Sequence, residues 1–159
     1  VGRCQYPPAG TRGFGPLRAI DYYQTPMEEY LAVVNQNTLC MLQCEHAESV
    51  ENLDEILEVP GVDAIICGPV DLSASVGKLG RLNDPEVKAL MAEIIRKCRA
   101  ARKPFGVSIG YAWPLIEYWI TNGASLVSMG TAYDYFSMTS RWVLGKVRRG
   151  DYSRPAENS

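Results

Sequence analysis

The feature that most constrains the fold is an alternation of short apolar runs with amphipathic helical segments, repeated four times along the chain. The predicted strands are residues 39–45, 62–68, 104–109 and 125–130, and the helices that follow them are residues 49–59, 83–102, 113–121 and 133–148. Strands that are apolar along most of their length are typical of a parallel sheet covered by helices. Right-handed crossovers then bring all four carboxyl ends to one edge of the sheet.

Two α/β architectures fit this alternation: a doubly wound sheet and part of a (β/α)8 barrel. No glycine-rich phosphate loop follows the first predicted strand, which disfavours a doubly wound, dinucleotide-binding domain. A whole barrel takes roughly 200 residues or more, whereas the 159 residues hold only four strand–helix units. We therefore predict a partial (β/α)8 TIM barrel over residues 1–150. Its first part, residues 1–24, reads as irregular, Thr25 is expected to cap a helix reaching about Asn35, and residues 151–159 read as a flexible tail.

Composition and charge limit the partners and the cellular location that we expect for this protein. The formal net charge is −2, whereas a nucleic-acid-binding protein should show a concentrated basic face, so no nucleic acid partner is expected. No run of about eighteen apolar residues is present, and residues 1–10 lack the layout of a signal peptide, so no membrane association is expected. Four of the five cysteines fall within apolar strand or helix patterns. This placement indicates reduced, buried thiols and a cytoplasmic location.

Two acidic residues mark the ends of consecutive predicted strands. Glu45 ends the first strand, on the same face as Gln43, and Asp71 comes just after the second. Adjacent strands lie about 5 Å apart, and carboxylates that close repel each other unless a cation or a proton lies between them. Oxygen ligands of this kind suit Mg²⁺ or Mn²⁺, with Co²⁺ as a further candidate. The alternative is structural: Asp71 caps the short turn that it begins, and Glu45 caps the helix after it.

A Gly-Pro pair joins the second strand to Asp71. Gly68 allows a close approach of the backbone, and Pro69 fixes the turn and removes one N–H group. The N–H groups of Val70 and Asp71 are then expected to point into the site, where they can hold a substrate carboxylate. The sequence thus predicts a carboxylate-binding turn beside the metal ligands.

The same residues carry a resemblance to a known family. The segment QCEHAESVENLDEILEVPGVDAIICGPVDLSASVG, with YPPAGTRG before it and GASLVSMGT after it, resembles the HpcH/HpaI aldolase/citrate lyase family of metal-dependent (class II) pyruvate aldolases. The resemblance implies that the chain corresponds to about strands five to eight of a phosphoenolpyruvate/pyruvate-type TIM barrel. It implies that Glu45 and Asp71 bind the metal, that Gln43 lines the site, and that the backbone of residues 68–71 binds the pyruvate carboxylate.

The reaction that the resemblance implies is aldol cleavage or condensation of a 2-oxo acid with an aldehyde, through a pyruvate enolate that the metal stabilises as a Lewis acid. Related members run decarboxylation or condensation through the same enolate. The family's arginine and early histidine, which act on that enolate, belong to the N-terminal half of the barrel and have no counterpart in these residues. Ala132 also departs from the family pattern, which has Asp after Gly-Thr.

Several other residues admit structural roles. His46, the one histidine, is expected to start a helix rather than to act as a base. Arg12 is expected to order its loop, with anion binding as the alternative, and Ser73 and Ser75 are expected to satisfy backbone groups. Six aromatic residues are expected to pack helices against the sheet or a partner subunit: Trp113, Tyr118, Trp119, Tyr135, Phe136 and Trp142.

Two hypotheses of different class follow. The first is an enzyme whose metal half-site lies on this chain. The second is a truncated, catalytically inactive half-barrel that binds metal or only assembles with partner chains. A half-barrel has two open sheet edges and one uncovered apolar face, so a homo-oligomer is expected in either case.

Overall fold

The computed structural model describes residues 1–152, and its elements follow the predicted alternation. In chain order they are α1 (Met27–Val33), β1 (Met41–Cys44), α2 (Ala47–Glu51), α3 (Leu53–Glu58), β2 (Ala64–Cys67), α4 (Pro69–Ser75), α5 (Pro85–Ala100), β3 (Phe105–Ile109), α6 (Trp113–Thr121), β4 (Leu126–Met129) and α7 (Ala132–Arg148). Each strand lies inside its predicted range and is shorter by one or two residues at an end. The four strand–helix units are therefore confirmed.

The four strands form one parallel sheet in the order β1-β2-β3-β4. Each strand pairs with the next one along the chain, with Cys44 opposite Cys67, Cys67 opposite Val107, and Val107 opposite Val127. A doubly wound sheet reverses its strand order at a switch point, and this sheet has no reversal. The consecutive order is that of a (β/α)8 barrel, in which every crossover moves one strand onward in the same direction.

The core lies between one face of the sheet and the helices that cover it. Cys44, Cys67 and Val107 point to this face and are at most 2% exposed. The apolar side of α5, including Met91 and Ile94, packs there because its apolar residues recur at helical spacing. Trp119 of α6 and Phe105 of β3 add a ring contact, with centroids 6.2 Å apart. The predicted packing role is confirmed for Trp119, whereas Trp113, Tyr135, Phe136 and Trp142 are exposed on this chain.

Lys97 ties three helices together in this layer. Its side chain is buried, and its Nζ donates to the carbonyl oxygens of Val50 and Glu51 at 2.9 and 3.0 Å, at the end of α2. The same Nζ lies 2.9 Å from an Asp54 carboxylate oxygen in α3. A buried ammonium group is stable only when its N–H groups have hydrogen-bond or ion-pair partners. The contacts of Lys97 therefore fix the position of α2 and α3 relative to α5.

Two predicted helices differ from those observed. The helix predicted over residues 49–59 is divided into α2 and α3 at Asn52, whose side chain donates to the Glu48 carbonyl. The predicted cap at Thr25 is wrong: Pro26 occupies the cap position of α1 without a side-chain hydrogen bond. Helix α1 also ends before Asn35, because the Asn35 amide exchanges two hydrogen bonds with the backbone of Tyr6.

The N-terminal segment is irregular, as predicted, but held in place. The Arg12 guanidinium lies over the Tyr6 ring at 4.8 Å and orders this loop. Cys4 Sγ lies 3.6 Å from Cys40 Sγ. The cysteines are free thiols, and the four predicted to be buried are buried: Cys40, Cys44, Cys67 and Cys98. No helix within residues 1–152 combines the length and the apolar character needed to cross a bilayer. Residues 153–159, most of the predicted tail, lie outside the described residues.

Candidate active site

The sheet register places Glu45 beside Gly68. Cys44 pairs with Cys67, so the next residue of each chain segment, Glu45 and Gly68, leaves its strand at the same height. A Cβ atom on Gly68 would lie 2.8 Å from Glu45 Oε2 and 3.0 Å from Glu45 Cβ. Real side chains do not tolerate the shorter distance, so a Cβ at this position would displace the Glu45 carboxylate. The close approach that the sequence predicted at Gly68 is therefore an approach of the Glu45 side chain.

Asp71 lies in the first turn of α4. The predicted Gly-Pro turn is the start of this helix, with Gly68 at the cap position and Pro69, which has no N–H group to leave unpaired, as the first helical residue. Val70 and Asp71 occupy the next two positions, where backbone N–H groups have no partner within a helix. Both side chains are exposed, whereas Pro69 and the following Leu72 are buried. Helix α4 thus begins at the carboxyl edge of the sheet and carries Asp71 there.

The structural alternative for the two carboxylates is wrong. His46, not Glu45, caps α2: its Nδ1 accepts from the Glu48 N–H at 3.2 Å, and the Ser49 hydroxyl accepts from the His46 N–H at 3.3 Å. Asp71 makes no side-chain cap in α4. Within residues 1–152, neither the Glu45 nor the Asp71 carboxylate has a hydrogen bond or an ion pair to the protein. The role predicted for His46 as a helix-start residue is confirmed.

Hydrogen bonds of two serines fix the relative position of these acids. Ser75 at the end of α4 donates to the Leu72 carbonyl and accepts from the Ala47 N–H at 3.0 Å, which joins α4 to the loop after β1. Ser73 is fully buried, donates to the Val70 carbonyl at 2.6 Å and accepts from the Gly80 N–H. Both serines satisfy backbone groups as predicted, and the Ser75 hydrogen bond joins the helix that carries Asp71 to the segment that follows Glu45.

Gln43 and Glu45 belong to the open face of the sheet, which no helix covers. Gln43 is exposed and Glu45 is half-buried. Behind them, on the helix-covered face, burial raises the pKa of the Cys67 thiol, and the nearby Glu45 charge adds to that increase. Burial thus favours the neutral thiol, and the Cys67 side chain lies on the opposite face of the sheet from that of Glu45. The oxygen atoms of Glu45 and Asp71 remain as the donors.

A cavity of about 250 Å³ opens over the carboxyl ends of β2, β3 and β4. It is lined by Gly68, Val70, Asp71, Ser108, Ile109, Gly110, Ser128, Gly130, Thr131 and Asp134. The last seven positions come from β3, β4, the residues that follow these strands and the start of α7, and sequence reasoning missed them. Strand alternation was a usable signal for Ser108 and Ser128, because each is a polar residue on the open face near the end of an apolar strand.

Asp134 has a structural role at the edge of this cavity. Its carboxylate accepts from the N–H and the hydroxyl of Thr131, at 2.6 and 3.0 Å, and so caps α7. These hydrogen bonds hold the pKa of Asp134 below its ordinary value. Gly130, at φ +93°, makes the tight turn that brings the Asp134 carboxylate back to the end of β4. Ala132 is the first residue of α7, and its exposed methyl group makes no polar contact there.

The two carboxylates fit a divalent cation as an incomplete set of ligands. Within residues 1–152, no group of three or more His, Cys, Asp and Glu side chains is placed to hold a metal ion. Glu45 and Asp71 offer hard oxygen donors without competing protein partners, which suits Mg²⁺ or Mn²⁺ when water and substrate oxygens supply the other ligands. Two carboxylates are fewer protein ligands than a closed structural metal site uses.

Parallel strands in consecutive order, with polar side chains gathered at their carboxyl ends, define a barrel-type α/β protein. Residues 1–132 match the family model described as HpcH/HpaI aldolase/citrate lyase. The chain belongs to the HpcH/HpaI aldolase/citrate lyase family. This confirms the resemblance found in the segments 43–77 and 6–13.

Relatives and solved structures agree with this membership. The chain is 34% identical over 131 residues to a 2-dehydro-3,6-dideoxy-6-sulfogluconate aldolase of Pseudomonas putida, covering 82% of this chain and 51% of the relative. It is 31% identical over 158 residues to a hydroxypyruvate/pyruvate aldolase of Agrobacterium fabrum strain C58, covering 99% and 59%. The chain thus spans about half the length of the curated relatives it matches.

The structural comparison confirms the partial barrel. A crystal structure of an HpcH/HpaI aldolase/citrate lyase family protein from Burkholderia cenocepacia J2315 superposes with a TM-score of 0.79 at 27% identity, covering 91% of this chain and 57% of that one. The open sheet therefore corresponds to part of a larger (β/α)8 barrel, as the consecutive strand order indicates.

Proposed function

We propose that the protein is a metal-dependent carbon–carbon lyase that cleaves or forms the aldol bond of 4-hydroxy-2-oxo acids through a pyruvate enolate. The observation that carries this proposal is the pair Glu45 and Asp71, which follow the carboxyl ends of adjacent strands and whose carboxylates have no structural partner within residues 1–152. The named relatives support it, because both are aldolases and one acts on hydroxypyruvate and pyruvate.

Each residue of the site has a proposed role. Glu45 and Asp71 hold a divalent cation, Mg²⁺ or Mn²⁺ with Co²⁺ as a further candidate, which supplies Lewis-acid stabilisation of charge that develops on the keto oxygen. The N–H groups of Val70 and Asp71, beside Gly68 and Pro69, bind the substrate carboxylate at the start of α4. The Gln43 amide, on the same open face as Glu45, orients the 2-oxo acid from the floor of the site.

Cleavage breaks the bond between C3 and C4 of the substrate. The C4 hydroxyl loses its proton and becomes the aldehyde carbonyl, while the electron pair of the broken bond passes to C3 and forms the enolate of pyruvate. Protonation at C3 then gives the methyl group of pyruvate, so no oxidant or reductant is needed. The backbone N–H groups at the start of α4 and the Gln43 amide are already oriented before the reaction. They stabilise the negative charge that develops in the transition state, where preorganised groups contribute most.

A further part of the proposal concerns the open face of the sheet. We propose that other polypeptide covers this face in the working protein, either a second copy in a homo-oligomer or further strands of the barrel. Met41 and Leu126 of the open face are each more than 40% exposed, and α7 has no buried residue. Its exposed side chains include Phe136 and Trp142. Apolar surface of this extent is normally covered in a soluble assembly.

The test is release of pyruvate from a 4-hydroxy-2-oxo acid by the full protein as its gene encodes it, with added Mn²⁺ or Mg²⁺. We expect turnover that a chelator stops and that Glu45→Gln or Asp71→Asn abolishes, whereas the control Glu55→Gln, an exposed acid of α3, retains it. Metal binding without turnover would favour the inactive half-barrel. Full activity of the Glu45→Gln enzyme would show that Glu45 is not a ligand of the proposed metal ion.

A further inference from the structure

Two serine hydroxyl groups lie opposite each other where β3 and β4 line the cavity. Ser108 of β3 and Ser128 of β4 are register partners on the open face, and both are exposed. Within residues 1–152, neither hydroxyl has a hydrogen-bond partner. This differs from Ser73 and Ser75, whose hydroxyls are both engaged with backbone groups. The hydroxyl of Thr131 is likewise engaged, with Asp134, so Ser108 and Ser128 are the free hydroxyls of the cavity.

Along the strand order of the sheet, these serines lie further from β1 than Glu45 and Asp71 do. Asp71 follows β2, whereas Ser108 and Ser128 belong to the next two strands, which lie about 5 and 10 Å further on. The same cavity includes all three residues. A substrate whose 2-oxo-acid end is held at Asp71 can therefore extend its remaining carbons along this cavity, over the two serines.

The charge of the cavity limits what that remaining part can be. None of its ten lining residues is Lys, Arg or His, and two of them, Asp71 and Asp134, are acidic. The carboxylate of Asp134 is hydrogen-bonded to Thr131 in its charged form. A phosphate, sulfonate or second carboxylate at this position would meet the negative charge of Asp134, and no lining residue supplies a positive charge beside it. A hydroxyl can both donate to and accept from a serine hydroxyl.

We infer that Ser108 and Ser128 are specificity-determining residues that bind a neutral, hydroxylated aldehyde part of the substrate and thereby disfavour alkyl and anionic aldehydes. The inference rests on the proposed function and names its substrate class. A site that hydrogen-bonds a substrate hydroxyl discriminates strongly against an analogue that lacks it, because the polar groups of the site are then left unpaired.

Three matched substrates test this inference: 2-keto-3-deoxygluconate, its 6-phosphate, and 4-hydroxy-2-oxohexanoate, which lacks the hydroxyls on C5 and C6. We expect the full protein to cleave the first with the highest kcat/KM. Ser108→Ala and Ser128→Ala should each lower that value by about tenfold, the equivalent of one hydrogen bond, and leave cleavage of the hexanoate within about twofold. Ser125→Ala, at the opposite end of the β4 segment, is the control and should change neither value.

A second measurement separates the two proposals. Exchange of the pyruvate methyl protons in deuterated water requires the 2-oxo-acid end of the site and no aldehyde. Absence of exchange by the unmodified protein overturns the proposed function, and this inference with it. Normal exchange together with serine variants that leave the substrate ratios unchanged, or a preference for the 6-phosphate, overturns this inference alone.

Discussion

The two faces of the four-stranded sheet are built from alternate residues of the same strands but differ in what their side chains contact. On one face, Cys44, Cys67 and Val107 are buried under α5 and α6. On the other, Ser108 and Ser128 are exposed, and the Glu45 side chain lies against Gly68 without a protein partner within residues 1–152. The covered face stabilises the fold, whereas the open face holds polar groups that the fold does not use.

The comparison predicts that changes at the open face alter activity without altering stability. Asp71→Asn keeps the shape of the side chain but removes the charge of a proposed metal ligand. We expect kcat/KM for pyruvate release to fall by about a thousandfold or more, because charge stabilisation in the transition state is usually the largest contribution. Circular dichroism should give a melting temperature equal to that of the unmodified protein. A large drop in melting temperature would show that Asp71 is structural.

Neighbouring residues of β3 allow a matched test of the two faces. Val107→Ser places a hydroxyl in the core and removes apolar surface, so the free energy of unfolding should fall by about 3 kcal/mol. Ser108→Val, one residue further on, should leave that free energy within about 1 kcal/mol. Urea denaturation measures both. Equal losses in the two variants would contradict the assignment of the faces.

Gly68 directly follows β2, and the Glu45 side chain of the open face lies against it. Gly68→Ala brings a Cβ within 2.8 Å of Glu45 Oε2, so the Glu45 carboxylate must move. We expect Mn²⁺ affinity, measured by calorimetry, to fall about tenfold, as it does when the positioning of a metal ligand is disturbed. Gly13→Ala is the control, because a Cβ there contacts nothing within 4 Å. Unchanged Mn²⁺ affinity in the Gly68→Ala protein would remove Glu45 from the site.

The smallest expected effect concerns the cap of α7, at the rim of the open face. Hydrogen bonds from Thr131 lower the pKa of Asp134 from its ordinary value of 3.8, so the charged form is the one that the fold favours. Its stabilisation is present above pH 3.8 and is lost as the pH falls through the lowered pKa. Asp134→Ala should lower the melting temperature by a few degrees at pH 7, and the difference should shrink below pH 3.8. A difference that does not depend on pH would contradict the charged cap.

The elements were largely predictable from local patterns, and the exceptions have local causes. Asp84 and Pro85 start α5 as predicted, with the Asp84 carboxylate accepting from the Glu86 N–H at 3.0 Å. Thr25 resembled a cap equally well, but Pro26 occupies the cap position of α1, and the helix begins without a side-chain hydrogen bond. Asn52 lies in an apolar pattern at helical spacing, and its amide competes with the backbone and divides that helix.

The sequence by itself determined the strand–helix alternation, the pair Glu45 and Asp71 and the tight Gly68, because period-two and period-3.6 patterns and residues such as glycine and proline act over a few neighbouring positions. The predicted barrel implied the consecutive strand order that the structure shows, but only the tertiary structure decided which strands are neighbours in fact and revealed the cavity that brings Ser108 and Ser128 to Asp71. Strand order depends on crossovers tens of residues long, and no local pattern specifies which strands become neighbours.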